Sequence, residues 1–125
     1  MRKHEKINMN ELTGRTAKAP KYTPAKVAYI DDYWVYLSRY EGEYPRHVHP
    51  KDQFYLVLQG IVTLDVDGEK FTLKAGEGMT VKGGTPHQPI TVSPHAIVLH
   101  CEKYEQTREL AKKVPLTKLV EPPPA

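Results

Sequence analysis

From residue 27 to residue 103, short runs of β-branched and aromatic residues follow one another, each closed by a turn signal and none carrying helical periodicity. Residues 27–30 and 34–40 are divided by Asp31 and Asp32, and residues 54–58 end at Gln59 and Gly60. Residues 63–66 and 70–73 flank Asp67 and Gly68, a pair that tolerates positive φ at both positions and so specifies a type I′ hairpin. Residues 79–81, 88–92 and 96–103 complete the series. Short strands without an intervening helix restrict the fold to an all-β antiparallel sandwich or barrel. A chain of 125 residues holds one such domain with its core, not two.

The ends differ from this middle. Residues 1–26 carry seven basic and two acidic side chains, whereas residues 27–104 carry seven and ten, so the basic excess belongs to an N-terminal arm. A nucleic-acid surface would interleave basic residues with exposed aromatics, and no nucleic-acid partner is expected. Pro20 and Pro24 discourage a helix in the arm beyond one short turn at residues 9–12, leaving it solvated or laid across an acidic neighbouring subunit. Residues 105–114 read as a short C-terminal helix stopped by Pro115, capping the barrel and followed by a Pro-rich tail to residue 125. No apolar run approaches the roughly 18 residues of a membrane span, and the N-terminus lacks the apolar centre of a signal peptide. A cytoplasmic protein without a membrane partner is expected. Cys101 has no second cysteine to pair with and reads as a small buried residue on the last strand. Aromatic-rich residues 27–40, with Phe54, Leu56 and Leu58, offer more apolar surface than one small barrel covers, which predicts a homodimer.

Chemistry concentrates in residues 42–60. In an extended strand His47 and His49 project to one side, half of a metal site, and Gln53 follows four residues later as a possible amide-oxygen ligand. A His-x-His pair alone is an ordinary surface feature. A second segment, residues 74–89, sets Gly76, Gly84 and His87 in a strand-turn-strand context that could return a third imidazole to the same end.

These two segments resemble the cupin family. Gly42, His47, His49, Gln53 and Gly60 match its first motif, with one residue fewer after Gly42, and Gly76, Gly84 and His87 match its second. Gln53 stands where the family usually has Glu, Lys82 where it has Pro, and Thr91 where it often has Asn. The resemblance covers residues 27–104 and implies a double-stranded β-helix, a jelly-roll-like barrel, without fixing the activity.

Imidazoles suit divalent Ni, Zn, Mn or Fe, and an amide oxygen is a weak further ligand. Because Gln53 is neutral, it leaves a bound ion its full charge, so Gln53→Glu should tighten metal binding and weaken carboxylate binding. The Gln variant resembles that of cupins acting on uronate sugars, which points to a small polar or anionic metabolite such as a sugar acid. His100 and Glu102 share one face of the last strand and would serve proton transfer if they faced the barrel; outward, they would be surface residues. Ile97, Leu99 and Cys101 on the other face look more like core. Tyr55 shares parity with Gln53 and either donates its hydroxyl to the ligand or simply lines the wall. Two function classes follow: a metal-dependent isomerase, lyase or dioxygenase, or a non-catalytic module that binds a sugar or metabolite.

Overall fold

The computed structural model describes residues 4–103; the C-terminal helix and tail expected from the sequence lie outside the described residues. Eight strands form in this region: β1 (Ala25–Ile30), β2 (Tyr33–Tyr40), β3 (Gln53–Gln59), β4 (Ile61–Val66), β5 (Glu69–Lys74), β6 (Gly78–Val81), β7 (His87–Thr91) and β8 (Ala96–Lys103). They pair antiparallel in a five-stranded sheet, β1-β2-β8-β3-β6, and a three-stranded sheet, β5-β4-β7. The β4–β5 turn has φ of 51° at Asp67 and 92° at Gly68, as the type I′ signature demands.

Between the sheets lies one apolar core that includes Tyr55, Val57, Val62, Leu64, Val81 and Val98. Its side-chain parity runs through β3 as Gln53, Tyr55 and Val57, all buried, while Phe54 faces out at 38% exposure. On β8 the same parity selects Ala96, Val98, His100 and Glu102, every one buried. His100 and Glu102 therefore continue the core face; of Ile97, Leu99 and Cys101, which looked like core, Ile97 is fully buried and Leu99 and Cys101 are only partly buried.

The N-terminal arm departs from the sequence expectation. Instead of a single turn it forms a ten-residue helix, α1 (Met9–Lys18). Asn8 caps it, its side chain accepting the Glu11 N–H at 3.0 Å, and Glu11, Arg15 and Lys18 sit at the ends the helix dipole favours. Pro20 comes after the C-cap Ala19, so it ends the helix rather than preventing it. Leu12 is buried with Leu37 and Ile97 on the outer face of the larger sheet, which is what holds the helix there. Among the described residues no helix is long and apolar enough to cross a membrane.

Candidate metal centre and its pocket

The His-x-His segment is not a regular strand. Pro45 and Pro50 bracket it and supply no N–H donors, so no continuous ladder forms, and His47 makes only an isolated antiparallel bridge with His87. That bridge is reciprocal: each residue's N–H donates to the other's carbonyl at 2.9 Å. In such a pair the two side chains stand opposite each other on one face, and the imidazole centroids lie 4.3 Å apart. The segment is further pinned where the Tyr44 N–H donates to the Pro89 carbonyl and the Gly84 N–H to the His49 carbonyl. Arg46 also pairs with Asp65 of β4 at 2.9 Å.

The turn before β7 locks against the same segment. Asp52 accepts the Gly83 N–H at 2.9 Å and pairs with Lys82 at 3.1 Å. A Cβ on Gly83 would stand 2.4 Å from the Pro50 carbonyl oxygen, too close for any side chain without backbone movement. The Lys82–Gly84 turn thus sets the distance between the two histidine-bearing segments.

His47, His49 and His87 each offer a ring nitrogen, and these atoms all lie within 4.8 Å of one another. Two bonds of roughly 2.1 Å through a shared ion span up to about 4.2 Å, so the cluster is close to the size a divalent metal needs. Ring orientation fits as well. The Nδ1 of His47 lies 2.8 Å from the Pro45 carbonyl and that of His87 lies 2.9 Å from the Thr85 carbonyl, each two residues back along the chain. A carbonyl only accepts, so both Nδ1 atoms carry the proton and both Nε2 lone pairs remain for a cation. Burial keeps the rings neutral, pushing the His47 pKa down to about 4 and lowering that of His87.

Gln53 adjoins the cluster. Its Oε1 lies 3.1 Å from His87 Nε2, and the Tyr55 hydroxyl donates to the same oxygen at 3.0 Å. The Gln53 amide N–H donates to Glu102 Oε1 at 3.1 Å, and the Tyr36 hydroxyl donates there at 2.6 Å. Glu102 is fully buried. Burial opposes its charge, but the His100 and His49 imidazoles and the Tyr36 hydroxyl outweigh that and hold the carboxyl below its ordinary range. His100 Nδ1 stands 3.8 Å from Glu102 Oε1, an ion-pair distance rather than a hydrogen bond, and its Nε2 meets Ser38 Oγ at 3.0 Å.

All seven residues singled out from the sequence, His47, His49, Gln53, Tyr55, His87, His100 and Glu102, are thereby brought to one end of the barrel. Beside them opens a pocket of about 370 Å³, its mouth included, lined by His47, Gln53, Tyr55, His100 and Glu102 together with Tyr22, Pro24, Tyr36, Ser38, Tyr40 and Tyr44. Among the described residues no Lys or Arg lines it. Burial raises the pKa of Tyr22, Tyr40, Tyr44 and Tyr55, so these hydroxyls stay protonated at neutral pH and act as donors.

Sequence reasoning missed much of this wall. Tyr36, Ser38 and Tyr40 were within reach, since they share the parity of buried Trp34 along β2. Tyr22 gave no such signal. It comes from the arm, adopts φ of 60°, and packs edge-on to Tyr40 and Tyr44 with centroids 5.1 and 4.7 Å away. Its N–H donates to the Arg39 carbonyl at 2.8 Å and its hydroxyl to the Glu41 carbonyl at 2.6 Å, which together fix that unfavourable backbone. The arm is therefore part of the pocket rather than a solvated tail.

Comparison with known proteins gives a match to the cupin domain over residues 35–101, more than half of the chain. The "Uncharacterized protein YdbB" of Bacillus subtilis (strain 168) is 33% identical over 70 residues, which cover 54% of this chain and 62% of that protein. Among solved structures, a cupin-2 domain containing protein from Shewanella frigidimarina NCIMB 400 is 26% identical, with a TM-score of 0.70 over 78% of this chain and 93% of that one. Protein NMB1881 from Neisseria meningitidis shares the fold at 22% identity, with a TM-score of 0.68 over 79% and 99% of the two chains.

Proposed function

Since the chain belongs to the cupin family, with a histidine cluster that could hold a metal at the barrel mouth, we propose that it is a metal-dependent enzyme acting on a small oxygen-bearing metabolite. The observation that carries this reading is the adjacency of two kinds of chemistry. His47, one of the three imidazoles able to hold a divalent ion, lines the pocket together with His100 and Glu102. A bound ion would supply Lewis acidity to a substrate carbonyl, hydroxyl or carboxylate. His47, His49 and His87 would hold it, with the Gln53 oxygen as a weak further ligand.

The chain's own groups would do the rest. His100, a wall residue with Glu102 3.8 Å away, would move a proton to or from the substrate. Tyr55 would orient Gln53 through the hydroxyl it donates to Oε1, and the tyrosine rings would exclude water from the ligand's flank. A sugar acid remains the substrate class that the Gln-bearing motif favours. With no Lys or Arg on the wall among the described residues, its carboxylate would be met by the metal and by tyrosine hydroxyls. Proton transfer beside a Lewis acid serves isomerase and lyase chemistry directly.

Metal analysis of untagged protein, before and after incubation with nickel(II), zinc(II), manganese(II) and iron(II), tests the first half. Uptake of one of these ions that is lost in His47→Ala and His87→Ala supports the site, and failure to take up any of them refutes it. Turnover of small hydroxy and keto acids by the loaded protein tests the second half. Binding without turnover at any pH would make this a non-catalytic metabolite-binding module.

A further inference from the structure

Glu102 is an unusual residue to find at the centre of a small barrel. It is completely buried, and among the described residues none of its contacts is a Lys or Arg. A buried carboxylate without a full positive partner is strongly disfavoured, and two hydrogen bonds from neutral groups do not replace one. Among the described residues Tyr36 and Gln53 donate to Oε1 and none donates to Oε2, which lies 3.8 Å from His49 Nε2, a ring atom of the histidine cluster. Glu102 thus borders the cluster twice, directly at His49 and through the Gln53 amide.

His47, His49 and His87 offer imidazole nitrogens and Gln53 a neutral amide oxygen, so an ion seated among them would have no anionic ligand among the described residues. We propose that Glu102 is that ion's counter-charge, acting from one residue away through Gln53 rather than by coordination. This rests on the reading that the cluster holds a divalent cation. The Gln53 amide is the relay: its N–H donates to Glu102 while its Oε1 faces His87 Nε2, so the carboxylate polarises the amide and makes that oxygen a better donor to a cation. The carboxylate's charge also reaches the ion through space, in surroundings too buried for water to screen it. The arrangement balances the site's charge while leaving coordination positions for a substrate that a directly bound carboxylate would occupy. Glu102 is in this respect a positioning residue.

The test is chelator competition for zinc(II) on the wild type, on Glu102→Gln, and on the exchanged double variant Gln53→Glu/Glu102→Gln. Melting curves of the metal-free proteins would establish that each is folded. Glu102→Gln keeps the shape and removes the charge, and zinc affinity should fall roughly 10–100-fold, the usual effect of losing an outer partner of a ligand. The double variant moves the carboxylate into the cluster and should bind zinc at least as tightly as the wild type. Wild-type affinity in Glu102→Gln, or a double variant weaker than the wild type, overturns the proposal; the second comparison decides it even where Glu102→Gln does not fold. Absence of zinc binding by the wild type would instead overturn the metal site itself.

Discussion

Charge alone suggests that Gln53→Glu simply strengthens a metal site, but the structure places the new carboxylate against an old one. The position now held by the Gln53 amide nitrogen lies 3.1 Å from Glu102 Oε1, and both residues are buried, at 3% and 0% exposure. Two unit negative charges at that distance repel by about 5 kcal/mol at an effective dielectric of about 20. That is comparable with the whole stability of a small domain, so in metal-free protein the pair keeps one proton across neutral pH, titrating as a unit. The sign of its pH dependence follows. A carboxyl whose folded pKa is raised contributes stability that is present below the unfolded value, near 4.3, and lost as pH rises through the folded one. Wild-type Glu102, held low, contributes in the opposite sense: its stability is present above the unfolded value and lost as pH falls. Urea denaturation of chelator-treated wild type and variant at pH 5.5 and pH 8 should show a deficit in the variant that grows by a few kcal/mol at the higher pH. Zinc should remove most of the deficit by supplying the missing positive charge. A deficit that is equal at the two pH values would refute the placement of these residues against each other.

Metal-free wild type should itself lose stability on acidification from pH 7 to pH 4. Burial keeps the folded His47 neutral down to about pH 4, whereas the unfolded chain takes up its proton near pH 6.5; a flat urea profile across this range would contradict it. Gly83→Ala should cost roughly 1–3 kcal/mol and weaken metal binding, because its Cβ meets the Pro50 carbonyl at 2.4 Å and pushes the two histidine segments apart. Thermal melting with a zinc titration would check both effects, and an unchanged melting temperature would argue against the tight loop contact. Light scattering should return twice the 14.2 kDa chain mass, since Ile30, Tyr33 and Phe54 expose 58%, 38% and 38% of their surface. A monomer at micromolar concentration would refute the dimer.

Most of the barrel was legible because its signals are local. Asp67 and Gly68 state their own turn, and parity along β3 places Gln53 and Tyr55 inside without reference to any other strand. The last strand was not legible for a reason that lies elsewhere in the chain. Both faces of β8 carry apolar residues, and the outward Ile97 is buried only because α1 lies over it with Leu12. Pro20 and Pro24 argued against that helix, but both fall after it ends, and the Asn8 cap that starts it was not read from the sequence. Once α1 is in place, Ile97 has its cover, and the inward face of β8 is free to carry His100 and Glu102. Tyr22 was beyond sequence reasoning altogether, since a left-handed tyrosine in an arm has no periodicity to reveal it.

The reciprocal hydrogen bonds between His47 and His87 also order events in time. The partners come from segments 40 residues apart in the chain, so forming the bridge carries the entropic cost of closing the stretch between them. An ion that meets the chain earlier finds only the neighbouring His47 and His49. Capture by the complete cluster therefore requires the bridge, and a seated ion would act as a latch across it, slowing unfolding more than it speeds folding.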